Sequence, residues 1–307
     1  VVGVADPVKP SVLVEHEIPG MLVDGVAVSG DYAYVANYGD PGHYLDVIDI
    51  SDPSIPVPRG SVRTSADRLT VAGSYAFVAG GGSGLVILDI SDPDFPEVTT
   101  TVETSGYVYD VAIAGEYAFV ANGSAGLLAV SIDDPADPEI LGSAPTTGTA
   151  RGIAVSGSIA YVADDPTGVA VFDVSDPARP TFVRTASGST DAWDIVLTGA
   201  YALVPDGSAG LRVFSIADPL SPVHVDTGTA ANTAGAARQV TVSGNYAFVA
   251  DYTGDFVVMD IRDPSSPAIL KTVSHSGSAV GVAVSGTHAY VAGTDGDLVV
   301  IDLFQEH

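Results

Sequence analysis

The sequence predicts an all-β chain, residues 1–307, folded as a single seven-bladed β-propeller of four-stranded antiparallel blades. Three observations predict it. One strand-and-stop phrase recurs along the chain. A glycine returns at near-constant spacing. The final copy of the repeat lacks a piece that the first residues contain.

The phrase is "LVILDISDP" at Leu85 to Pro93. It returns as "LDVIDISDP" (Leu45 to Pro53), "VAVFDVSDP" (Val169 to Pro177) and "FVVMDIRDP" (Phe256 to Pro264). The glycine is that of "SGDYAYVA", at Gly30, Gly73, Gly115, Gly157, Gly199, Gly244 and Gly286. The gaps are 43, 42, 42, 42, 45 and 42 residues, the mark of stacked repeats.

Each repeat reads as four strands. The first is of "GVAVSG" type (Gly25 to Gly30) and the second of "YAYVA" type (Tyr32 to Ala36). The third is the recurring phrase. The fourth follows its prolines, as in "EVTTTVET" (Glu97 to Thr104). Val, Ile, Tyr and Phe dominate the runs, and turn residues separate them. Gly plus one residue joins strands one and two, which suits a tight type II′ hairpin. Asp-Pro ends strand three: proline cannot donate to a ladder, and Asp bonds its own downstream backbone.

Strand one is apolar on both faces. Val28, Val71, Ile113, Val155, Leu197, Val242 and Val284 lie on one face. Ala27, Thr70, Ala112, Ala154, Val196, Thr241 and Ala283 lie on the other. A sheet covered on both sides, by its neighbours, fits radial packing into a propeller. The last copy, "LVVIDLFQEH", stops after strand three. The opening "ADPVKPSVLVEHEIPG" carries Asp6-Pro7 and Pro10, which match Asp52-Pro53 and Pro56. The N-terminal segment is therefore expected to supply the outer strand of the C-terminal blade.

"GLVILDISDP", "YAYVAN" and "GVAVSG" resemble the LVIVD-repeat family of bacterial and archaeal propellers. The resemblance covers essentially the whole chain. Copies three and five depart from it, with Ser131 and Ser215 where Asp usually stands. It implies a secreted or surface-attached protein, hence an extracellular or cell-surface setting. It supplies no reaction and no catalytic motif.

Composition narrows the partners. The chain has 38 acidic and 11 basic residues, a net charge of −27, and only two lysines, Lys9 and Lys271. Such a balance repels phosphate backbones, which argues against nucleic acid. Many of the aspartates belong to the repeated phrase. No run of 18 apolar residues appears, so no membrane insertion is expected. The opening "VVGVADP" has no charged n-region and does not read as a signal peptide, which does not place the protein inside a cell. With no cysteine there is neither disulfide nor thiolate site.

The up-and-down topology separates two ends. One carries the monotonous Gly hairpins and Asp-Pro turns. The other carries the two–three loops and blade links, which vary between copies, and function favours variable loops on a rigid frame. Six residues before each glycine stand Asp24, Asp67, Tyr109, Arg151, Trp193, Arg238 and Val280. The next column holds Gly25, Arg68, Asp110, Gly152, Asp194, Gln239 and Gly281. Tyr107 and Asp191 lie two residues earlier in blades three and five.

Two arcs follow. Tyr107, Tyr109, Arg151, Trp193 and Arg238, with Asp191, form an aromatic and cationic arc. Asp24 and Asp67, with Arg68 beside them, form an acidic one. Rings stack on sugars, and Arg forks bind carboxylate or sulfate in pairs. The expected ligand at the channel mouth is a glycan, a protein or a small anion. The plainer alternative is that Arg–Asp pairs simply close a wet channel.

A hydrolase or lyase at the same mouth is the other function considered. His43 and His275 fall near the variable face, with Tyr109 and Arg151 as partners. No GxSxG, HExxH or Walker loop supports it. No cofactor is expected. Calcium is considered for "ADDPTG" (Ala163 to Gly168), "DYTGD" (Asp251 to Asp255) and "GTDGD" (Gly293 to Asp297), none of which has EF-hand spacing. Two segments are longer than their counterparts, "ANYGDPGHYLDVID" in blade one and "TGTAANTAGAAR" before blade six, and either could form a lip.

Overall fold

The structure is a computed structural model, and it describes residues 9–18, 21–39, 42–225, 233, 235–253 and 255–304. Asp6-Pro7, His307 and most of the long link before blade six lie outside the described residues.

Seven four-stranded antiparallel sheets make a seven-bladed β-propeller. Strand β1 is Ser11–Glu17. Blade one holds β2 (Met21–Ser29), β3 (Tyr32–Gly39), β4 (Gly42–Asp49) and β5 (Val57–Arg63). Blade two holds β6 (Arg68–Ala72), β7 (Tyr75–Ala79), β8 (Leu85–Asp89) and β9 (Glu97–Val102). Blade three holds β10 (Asp110–Ala114), β11 (Tyr117–Ala121), β12 (Leu127–Ser131) and β13 (Glu139–Ala144). Blade four holds β14 (Thr149–Ser156), β15 (Ile159–Asp165), β16 (Gly168–Asp173) and β17 (Thr181–Ala186). Blade five holds β18 (Val196–Thr198), β19 (Tyr201–Pro205), β20 (Leu211–Ser215) and β21 (Val223–His224). Blade six holds β22 (Ala237–Ser243), β23 (Tyr246–Asp251), β24 (Asp255–Asp260) and β25 (Ala268–Ser274). Blade seven holds β26 (Ala279–Ser285), β27 (His288–Gly293) and β28 (Asp297–Asp302). β1 lies antiparallel beside β28, with Glu15 opposite Val299 and Glu17 opposite Asp297.

The repeat phrases have the roles their chemistry suggests. The hairpin glycines Gly30 to Gly286 all take a left-handed φ, between 55° and 61°, that a side chain would resist. In the Asp-Pro turns the aspartate accepts an amide two residues on. Asp52 bonds Ser54 N at 3.0 Å, and Asp92 bonds Asp94 N at 3.0 Å. The aspartate closing strand three does the same: Asp89 bonds Ser91 N at 2.8 Å and Asp173 bonds Ser175 N at 2.9 Å. Part of the acidic excess is thus turn chemistry.

The core lies between blades. Each hydrophobic cluster joins two neighbouring sheets. Phe77, Leu85 and Ile87 of blade two meet Val111, Val120 and Val130 of blade three. Tyr290, Leu298 and Val300 of blade seven meet Val26, Val35 and Ile48 of blade one. The aromatic of strand two, such as Phe77, Phe119 or Tyr161, is almost fully buried in this gap. Sheets apolar on both faces can hide both only by such mutual packing.

Candidate functional site

β-Bulges aim the key side chains. Register shifts between Val23 and Gly25, between Ala150 and Gly152, between Ala237 and Gln239, and between Ala279 and Gly281. The skipped residues are Asp24, Arg151, Arg238 and Val280. A bulge leaves one residue out of the ladder and re-aims its side chain. In the other three blades the equivalent residue stands just before its inner strand. Asp67 N bonds Ala79 O at 2.9 Å, Tyr109 N bonds Ala121 O at 2.9 Å, and Trp193 N bonds Pro205 O at 3.0 Å.

The result is one cavity of about 380 Å³ at the mouth, lined by Asp24, Asp67, Arg68, Tyr107, Tyr109, Arg151, Trp193, Arg238, Tyr252 and Val280. Of the residues the sequence proposed for binding, only Asp191 is not in this wall, and it braces Trp193. Its Oδ1 accepts the Trp193 indole N–H at 2.8 Å. Of the two histidines proposed for catalysis, neither lines the cavity. His275 Nδ1 lies 2.6 Å from Ser276 O, beyond the outer strand of blade six.

Trp193 is sandwiched. The Arg151 guanidinium carbon lies 3.8 Å from the indole centroid and that of Arg238 lies 3.4 Å away. The two come from the blades on either side, and the ring has room for one guanidinium per face. Both faces of Trp193 are therefore covered, so it does not offer the sugar-stacking platform expected from the sequence. The other rings at the mouth are the tilted Tyr107–Tyr109 pair, 4.6 Å between centroids, and Tyr252, which lies 4.9 Å from the Arg238 guanidinium. Tyr252 was missed because it stands in a loop after strand two, outside the inner-strand columns.

The cations are incompletely paired. Arg151 Nη2 meets Asp165 Oδ2 at 2.7 Å, and its Nη1 is 3.9 Å from Asp191 Oδ1. Arg151 Nε and Nη1 and Arg238 Nε have no hydrogen-bond partner. Desolvation lowers the Arg238 pKa, and the nearby Arg151 and Arg68 charges lower it further, against Asp191 and Tyr252. Across the mouth, burial and then the Asp67 charge push the Asp24 carboxyl up to about 7. Tyr107 donates to Asp67 Oδ2 at 2.6 Å, and burial with that bond raises its phenol.

Arg68 belongs to the floor. Its Nη2 donates to Arg238 O at 2.9 Å, and its Nη1 sits 3.3 Å from Asp194 Oδ1, a distance of ion pairing without hydrogen-bond alignment. The second column is a chain of latches between blades. Asp110 Oδ2 accepts Ile153 N at 2.9 Å, Asp194 Oδ2 accepts Val240 N at 3.1 Å, and Gln239 Oε1 accepts Val282 N at 2.7 Å. In this column the plainer Arg–Asp reading holds.

A second set of buried carboxylates holds the variable loops. Asp206 Oδ1 accepts Ser189 Oγ, Thr190 N and Asp191 N at 2.7, 2.9 and 2.6 Å. Asp164 accepts Gly148 N at 3.1 Å, and Asp251 accepts Ala236 N at 2.6 Å. Several carboxylates of the loops considered for calcium are engaged within the fold: Asp165 holds Arg151, Asp255 accepts Ser274 Oγ at 2.8 Å, and Asp297 accepts Ser276 Oγ at 2.9 Å. Among the described residues, the one group at metal-ligating spacing is elsewhere, at Asp24, His43 and Asp67.

Fold and site together define a propeller with a mouth of two opposite charges, the general form of a binding or interaction module. The LVIVD repeat matches residues 22–64, 65–104, 105–146, 147–186, 189–227, 234–274 and 276–303, and the chain belongs to that family. No curated protein matches it. Among solved structures, the computationally designed Ika8 protein is similar at a TM-score of 0.65 and 12% identity, over 95% of this chain and 99% of that one. That likeness speaks to the fold alone. No helix among the described residues is long and apolar enough to cross a membrane.

Proposed function

We propose that the protein is a non-enzymatic binding propeller whose mouth takes an acidic saccharide unit, through its carboxylate or sulfate. One observation carries this reading. In a chain of net charge −27, the Arg151 and Arg238 guanidiniums converge on one cavity, and among the described residues Arg151 is paired with Asp165 while no carboxylate pairs with Arg238. Guanidinium donors seek planar oxyanions. The cavity volume, about 380 Å³, falls in the range of small-ligand sites. Tyr107, Tyr109 and Tyr252 supply ring faces at its edge. The proposed setting is extracellular or at a cell surface, which rests on the family resemblance. The hydrolase or lyase reading, which rests on His43 or His275 with Tyr109 and Arg151, has less support, because neither histidine is among the residues lining the cavity and His275 is engaged with its own neighbour.

The test is a screen of uronate-bearing, sulfated and neutral saccharides, followed by titration of the best binder. Acidic saccharides should bind and weaken with added salt. Arg151→Ala and Arg238→Ala should each weaken binding tenfold or more. Preference for neutral saccharides, or unchanged affinity in the double variant, would overturn the proposal.

A further inference from the structure

We infer that Asp24, His43 and Asp67 form a binding site for one divalent first-row transition ion, Zn²⁺ or Mn²⁺, on the side of the mouth opposite the arginines. The three side chains each offer a ligand atom, and these atoms lie within 4.8 Å of one another. No hydrogen bond or ion pair joins His43 to either carboxylate among the described residues. The spacing is too long for such bonds, and since tetrahedral ligands at about 2.0–2.3 Å from one metal lie about 3.3–3.8 Å apart, the side chains would draw in by up to about 1 Å to share an ion.

A second observation is independent of the carboxylates. His43 Nδ1 is buried and has no hydrogen-bond partner. An unpaired buried polar nitrogen costs about 1–3 kcal/mol, and metal ligation is one way to satisfy it. The strand pairing explains how His43 arrives there. In blade one the second and third strands extend to Gly39 and from Gly42, which sets Tyr38 opposite His43. The longer segment of the sequence is thus a projecting hairpin arm. Thr64 N bonds His43 O at 3.1 Å and fixes the arm to blade one's edge, and the Tyr38 ring backs the imidazole at 4.6 Å.

The surroundings favour a cation. Two carboxylates stand together, and Arg68, which lines the same mouth, is turned to Asp194 and Arg238 O, while Arg63 lies beside Gly42 and His43 at the base of the arm. Tyr107 orients Asp67 by donating to Oδ2. Outer-shell donors of this kind fix the geometry of ligating carboxylates. One imidazole with two carboxylates suits Zn²⁺ or Mn²⁺ better than Ca²⁺, which takes an all-oxygen shell. The site stands apart from the saccharide proposal and needs no ligand to be tested.

The experiment uses the full chain stripped with chelator, titrated calorimetrically with Zn²⁺, Mn²⁺ and Ca²⁺, with Co²⁺ as a visible-absorption probe. The expected result is one Zn²⁺ or Mn²⁺ per chain, a cobalt spectrum with a nitrogen ligand, and a metal-dependent rise in Tm. His43→Gln and Asp24→Asn should each weaken binding tenfold or more and remove the Tm rise. Glu97→Gln, on an outer strand, should change neither, and circular dichroism checks folding. The inference is overturned by absence of saturable binding at millimolar metal. It is equally overturned by binding unchanged in both site variants, which is adsorption to acidic surface. Preference for Ca²⁺ with His43→Gln silent would also overturn it.

Discussion

Arg68 of blade two reaches Asp194 of blade five, with 3.3 Å between Nη1 and Oδ1. The two blades are not neighbours, so the pair spans the channel. Both side chains are largely buried, at 15% and 10% exposure. Removing one member leaves the other charge without compensation. Arg68→Met should therefore lower stability by about 3 kcal/mol, read from urea unfolding, while Arg68→Met with Asp194→Asn should recover part of it. A loss under about 0.5 kcal/mol would put the pair in the class of exposed ion pairs.

Asp110 stands in the same network and gives a pH dependence. Burial raises its carboxyl pKa, the Asp194 charge raises it further, and Arg68 with the Ile153 amide opposes them. A carboxyl raised on folding binds its proton more tightly in the native state than in the unfolded chain. Its contribution is present below the ordinary carboxylate value and is lost as pH rises through the raised one, at up to about 1.4 kcal/mol per unit. Asp49, Asp89 and Asp173 act in the opposite sense. Serine hydroxyl and amide bonds hold them low, so their contributions vanish only in stronger acid. Unfolding midpoints at about pH 5 and about pH 8 should differ less in Asp110→Asn than in the wild type, since Asn keeps the acceptor for Ile153 N. An unchanged difference would assign the pH dependence to other groups.

The blades were legible because each strand and turn is written seven times, so Gly30 and its counterparts align without any structure. The mouth was legible for the same reason: a fixed offset from a hairpin glycine is a fixed height in the channel. What the offset could not show is contact between columns. Trp193 reads as a free ring until Arg151 and Arg238 are seen to cover it. Arg68 reads as a cation beside the acidic arc until it is seen ion-paired with Asp194. The bulges at Asp24, Arg151 and Arg238 leave no trace in residue type, because a bulge is set by pairing with strand two. His43 reads as a loop residue, since the pairing of Tyr38 with His43 follows from an extended hairpin that the repeat does not predict. Asp164, Asp206 and Asp251 share a column at the end of strand two, and their burial depends on amides from the neighbouring inner-strand entry.

Gly152 has a steric role that the latch column imposes. A Cβ there would lie 2.6 Å from Asp194 Cα and 2.9 Å from its carbonyl carbon, both backbone atoms of the next blade. Backbone cannot rotate away as a side chain can, so β14 and the start of blade five would have to part. Gly152→Ala should cost about 1–3 kcal/mol, typical of overpacking. It should also loosen the Arg151–Trp193 stack, since Arg151 is the adjacent bulge residue. Thermal unfolding gives the first quantity and indole fluorescence the second. A stability equal to wild type would mean that the inter-blade spacing is softer than the close approach implies.

Trp193 is the chain's sole tryptophan, so its emission reports on the mouth alone. Two guanidiniums against the ring and an N–H bonded to Asp191 hold it in a fixed, charged environment. An anion that draws Arg151 and Arg238 toward itself must alter that stack, so binding should change intensity and peak position together. Trp193→Phe keeps a ring between the two cations and should retain affinity within about threefold. Trp193→Ala removes cation–π contacts worth about 0.5–2 kcal/mol each and takes away the ring that braces both side chains, so affinity should fall tenfold or more. Retained affinity in Trp193→Ala, with a normal unfolding midpoint, would show that the arginines hold their positions through Asp165 and Asp191 without the indole.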